Sequence, residues 1–154
     1  MLGACLHLQN RHDLDVNLVL FAAFVGAERR QTLTASGVEA ARTLVDTWHR
    51  EVVRPLRAVR QRLKTRPAPA PNDITARLRS KVKKIEIAAE LIELDELDAL
   101  IPALELLPAS GSAAECAAAA IETVVTAYAR TTLDDADRQA IDTIAGAVPK
   151  EMHP

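Results

Sequence analysis

Three features of the sequence predict an all-α fold. Apolar residues recur at three- and four-residue spacings through most of the 154 positions, and two S-x-x-E patterns mark helix starts. No stretch alternates apolar and polar residues over strand length. Hydrophobic residues make up 49% of the chain but aromatics only 3%, so the interior is expected to be aliphatic. The expected architecture is a compact bundle of six or seven helices with a Pro-Ala linker between halves. Residues 1–154 are read as one helical domain, with a basic half 1–66, a linker 67–71 and an acidic half 72–154. A chain of this length buries roughly 70% of its unfolded surface.

Each element has its own signature. "LGACLHLQNRH" at 2–12 reads as a short helix with no cap before it, as though a first turn or an upstream segment were missing. Asp13 or Asp15 caps a helix over about 15–29, apolar almost all round from Val16 to Val25 and therefore central, with Gly26 marking its weakening end. Ser36 and Glu39 start a long helix. At 100° per residue from Arg50, its Val45, Trp48, Val52, Leu56, Val59 and Leu63 fall between about 160° and 240°, with Trp48 as a core anchor. Pro55 is expected to kink this helix, or begin a second segment, without resetting its faces.

After "RPAPAP", whose composition favours extended polyproline conformation, Asn72 or Asp73 caps a helix to about Leu94. Its predicted core face is Ile74, Leu78, Ile85, Ala89 and Ile92, with a break near Asp95 and a short helix accommodating Pro102. Ser112 and Glu115 open an alanine-rich helix that permits close approach of a neighbour. Thr132 with Asp135 opens the last, whose buried face is Ile141, Ile144, Ala145 and Val148.

Charge is divided along the chain. Residues 1–84 carry 16 Lys/Arg against 7 Asp/Glu, a balance of +9, and residues 85–154 carry 3 against 14, a balance of −11. Such a division points to a charged partner or to internal pairing. The longest apolar run, 16–27, is too short to span a bilayer, so no membrane partner is expected. "LGAC" at 2–5 mimics a lipoprotein cleavage box but has no basic and apolar segment before it. A soluble, cytoplasmic, bacterial-type protein is the expectation.

"ACLHLQNRHDLDVNLVLF" at 4–21, followed by "W…VVRPLR" at 48–57, resembles a small proteobacterial family known only as a domain of unknown function. The resemblance is best over 4–66 and extends through "KIEIAAELIEL" at 84–94. It departs from the family in lacking an aromatic-containing stretch before "ACL" and in having Phe24 where a tryptophan is common. The resemblance implies a helical fold and carries over no activity or catalytic residue.

The candidate interaction face is the stripe Arg50, Arg54, Arg57 and Lys64, within a 17-residue stretch holding five arginines and a lysine. It can be a solvated face, a dock for an acidic protein or a second copy, or a phosphate grip. It has no interleaved aromatics for stacking bases, and the pI of about 6.1 is low for a nucleic-acid binder. Glu86, Glu90 and Glu93 line one helix flank and could fold back near Arg54 or Arg57.

Asp15 and Asn17 form a polar pair at the entrance to the apolar helix, read as a cap plus a buried amide rather than a ligand site. Asp46 and His49 show a carboxylate-x-x-His spacing without the second such motif that di-metal bundles use. His7 and His12 point in different helical directions and make no two-point ligand. Cys5 is expected to be packed rather than reactive. With five scattered glycines there is no phosphate-binding loop. No catalytic residue, metal or cofactor is assigned. The expected function is a non-catalytic interaction module docking through the basic helix face. A weak nucleic-acid or anionic-ligand binder using the same face, and an enzyme or carrier with a site not visible in sequence, are the alternatives.

Overall fold

The computed structural model describes residues 1–65, 67–69 and 72–148. In chain order its elements are α1 (Leu2–His12), α2 (Val16–Arg29), β1 (Gln31–Leu33), α3 (Ala35–Trp48), a π-helical turn (His49–Val53), α4 (Arg54–Lys64), α5 (Asn72–Leu100), a 3-10 turn (Ile101–Ala103), β2 (Leu106–Pro108), α6 (Ala113–Tyr128) and α7 (Asp135–Ala147). The fold is all-α apart from one two-stranded antiparallel sheet, which pairs Gln31 with Pro108, Thr32 with Leu107 and Leu33 with Leu106. Three residues per strand are too few for an alternation signal, so the sheet was not legible in sequence. The Pro-Ala linker falls partly outside the described residues, at 66, 70 and 71, as does Pro149.

The chain divides into two compact units, Met1–Arg42 with Leu100–Pro154, and Thr43–Ala99. In the first, α2 is the central helix. Asp15 caps it, its Oδ1 accepting the Asn17 N–H at 2.9 Å, and nine of the helix's residues are buried. α2 packs most extensively on α6, which offers Ala117, Ala120, Ile121, Val124 and Val125. Gly26 is the point of closest approach rather than a weakening end. A Cβ there would lie 2.4 Å from the Cys116 carbonyl oxygen and 2.6 Å from the Ala117 Cα. Arg30, in left-handed conformation at φ 52°, ends α2 and turns the chain into β1.

Two helix starts lie two residues from their predicted caps. Thr34, not Ser36, begins α3, its hydroxyl accepting the Gly37 N–H at 3.0 Å. Asp134, not Thr132, caps α7 in a reciprocal box with Asp137. The Ser112–Glu115 box of α6 stands as read, and its hydrogen bonds lower the Glu115 carboxyl below its ordinary range. In α1 the buried residues are Cys5, Leu8 and His12, whereas Leu2 and Leu6 face out.

The second unit departs further from the predicted pattern. The π-helical turn precedes Pro55, and the Arg54 N–H bonds the His49 carbonyl five residues back. Widening the turn relieves the clash between a proline ring and the carbonyl four residues earlier. It also inserts a residue and resets the faces. Val45 and Val53 are buried, Val59 is exposed, and α4 buries no residue fully. Trp48 is 37% exposed, tied by its indole N–H to the Ala89 carbonyl at 3.0 Å.

α5 runs unbroken through Asp95 for 29 residues. Its buried stripe is Thr75, Glu86, Ala89, Glu93 and Leu97. The predicted core residues Ile74, Leu78, Ile85 and Ile92 lie about 90° round the helix, in solvent. The apolar shift that read as a break at Asp95 is Leu97 continuing the stripe of Glu86 and Glu93 on a single helix.

Gly26→Ala is expected to cost about 1–3 kcal/mol in chemical denaturation, because both contacts are backbone and cannot yield like a side chain. Gly146→Ala in α7, where an added Cβ meets nothing within 4 Å, is expected to be neutral or stabilising by about 0.5 kcal/mol.

Candidate functional site

The structure places the residues of the predicted basic face in different settings. Arg50 is exposed and bonded within its own helix to Asp46 at 3.0 Å and Glu51 at 3.3 Å. Arg54 and Lys64 are exposed. Arg57 is turned to α5, with Nε donating to Glu86 at 3.1 Å and Nη2 to Glu90 at 2.8 Å. Arg60, outside the predicted set, bonds both oxygens of Glu86. Burial pushes the Glu86 carboxyl up, but the hydrogen bonds from Arg60 and Arg57 outweigh it and hold the group below its ordinary range. The same contact raises Arg60.

Next along this seam, His49 Nδ1 lies 3.1 Å from Oε1 of Glu93, whose side chain is fully buried. Asp46, three residues from His49, stays in solvent, so their spacing marks no shared site. Asp15 and Asn17 are both buried, the first serving α2 as its cap. Cys5 and Cys116 are buried free thiols, and burial raises the Cys5 thiol.

The densest polar cluster went unseen in sequence. Asp137 of α7 is completely buried. Its Oδ1 lies 3.0 Å from Nε2 of both His7 and His12. Its Oδ2 lies 3.2 Å from Nε of Arg11 and accepts the Asp134 N–H at 3.1 Å. Arg11 also reaches Asp134 at 2.8 Å. Burial acts to raise Asp137, but the Asp134 backbone and the two imidazoles overcome it and lower the group. An ionised carboxylate can only accept, so both histidines present Nε2–H to it.

His7 and His12 thus do converge, against the sequence expectation. From His7, Arg11 lies about 40° and His12 about 140° round α1, so the three bracket one flank on which Asp137 sits. Spacing alone separates the two imidazoles, and only the buried acid from α7 unites them. The readable signals were the H-x-x-x-R-H run and the D-x-x-D box opening α7.

His7 Nε2 and oxygens of Asp134 and Asp137 lie within 4.8 Å of one another, a spacing that a metal ion can bridge. Arg11, however, already bonds both carboxylates, so a cation would have to displace a guanidinium. By its own chemistry the cluster is an ion-pair network tying α1 to α7.

Among the described residues no helix is long and apolar enough to cross a membrane. A family model described as "Protein of unknown function (DUF2390)" matches residues 2–97, more than half of the chain. No curated protein and no solved structure matches.

Asp137→Ala, which strands the buried His12, is expected to cost about 3–5 kcal/mol in urea denaturation at neutral pH. A lowered carboxyl contributes fully above its unfolded value of about 3.9 and loses its contribution as pH falls through the folded-state value. The deficit of the variant should therefore shrink in titrations below about pH 4.

Proposed function

We propose that this chain, which belongs to the DUF2390 family, is a non-catalytic interaction module that docks through α5. The observation that carries the reading is the α5 stripe of Ile74, Leu78, Ile85 and Ile92, 49%, 49%, 56% and 47% exposed. It extends about 27 Å along one face, and large aliphatic side chains repeated in solvent along a helix fit a protein contact. The basic face takes a secondary part. Arg50 and Arg57 are engaged with acids of the chain itself, which leaves the exposed Lys64 for steering a partner.

The occupant we assign to the stripe is a second copy. Crossed antiparallel at Ile85, two α5 helices set Ile85 against Ile85 and Leu78 against Ile92, closing the contact by a two-fold axis. The flanking charges agree. Residues 77–84 carry Arg77, Arg79, Lys81, Lys83 and Lys84, and residues 95–98 carry Asp95, Glu96 and Asp98. Antiparallel pairing sets each basic run near the other's acidic run, whereas parallel pairing opposes like charges.

Sedimentation equilibrium of the full chain should give a dimer. Ile85→Lys, which places two ammonium groups at the centre of the contact, should give a monomer with unchanged helical circular dichroism. A wild-type chain that stays monomeric at high concentration overturns the reading.

A further inference from the structure

The first unit holds a cleft of about 470 Å³ at the C-terminal ends of α1 and α6, beside the middle of α3. Arg11 and His12 line it from α1, Arg42 from α3, Tyr128 from α6, and Arg130 and Thr131 from the segment that follows. Against three arginines it has one lining carboxylate, that of Asp13. Arg11 is partly committed to Asp134 and Asp137. Arg130 makes no ion pair with another described residue.

Arg42 is the telling residue. Its guanidinium lies over the Tyr128 ring, 4.6 Å from the centroid. Stacking fixes the plane of the group and leaves its N–H edge for in-plane contact, the geometry in which arginine grips an oxyanion through two parallel hydrogen bonds. Arg11, His12 and Arg130 could each be explained as cations near a helix C-terminus, where they offset the carbonyl dipole. Arg42 stands in the middle of α3 and serves no helix end. A helix-end role therefore leaves it unexplained.

We propose that this cleft binds a small phosphate-bearing anion, gripped by Arg42 and Arg130, with the Thr131 hydroxyl as a further donor. Its volume suits a phosphorylated small molecule rather than a strand of nucleic acid. The site is separate from the α5 stripe, so neither proposal stands or falls with the other.

Calorimetric titration of the full chain at low salt with inorganic pyrophosphate tests it, with citrate as a carboxylate of similar charge. Pyrophosphate should bind one to one and more tightly than citrate. Arg42→Gln and Arg130→Gln should each weaken it about ten-fold or more, and Arg29→Gln, a control at the exposed C-terminal end of α2, should leave it unchanged. Far-ultraviolet circular dichroism confirms that each variant is folded. No heat with pyrophosphate overturns the proposal. Equal loss in all three variants, which signals diffuse charge attraction, also overturns it, and a preference for citrate overturns the phosphate assignment.

Discussion

A carboxylate removed from water must be met by hydrogen-bond donors, and that requirement sets how three helices of this protein face. Asp137 calls in His7, Arg11 and His12, which fixes the rotation of α1 against α7. Glu86 draws Arg57 and Arg60 inward from α4. Glu93 meets His49 at the π-helical turn. Because these acids occupy the buried stripe of α5, the helix shows six large aliphatic side chains to solvent, four of them in one stripe. The exposed apolar stripe and the partly dismantled basic face are thus two sides of one electrostatic arrangement.

The legible parts of the fold were those where local chemistry and packing agree. Asp15 and Ser112 cap their helices as read, and the all-round apolar α2 is central. The alanines of α6 do admit a close neighbour, and that neighbour is Gly26. Hydrophobic periodicity misled where a buried acid outranked an aliphatic residue for the inner position. In α5, Ile85 sits next to Glu86 in sequence, and periodicity places the isoleucine inside. Two arginines from α4 reverse that choice, and no pattern within α5 alone records their presence.

The clusters were legible only in part. The acidic flank of α5 and the arginines of α4 were read as possible partners, and Arg57 does meet Glu86 and Glu90. That pairing reduces the stripe first read as a docking face. The His7–His12–Asp137 set was missed because its members lie 125 and 130 residues apart. Pro55 announced a disturbance, but not that a widened turn would absorb it and shift which valine is buried. The family match ends at residue 97, so α6 and α7, against which α1 and α2 pack, lie beyond it.

The first unit is assembled from two stretches of chain separated by the whole of the second. During synthesis α2 emerges long before α6, the helix that covers it, and α1 long before the acid that gathers its histidines. The most oily segment of the molecule thus spends the production of some eighty intervening residues without its cover. Growth order therefore makes this discontinuous unit the last to close.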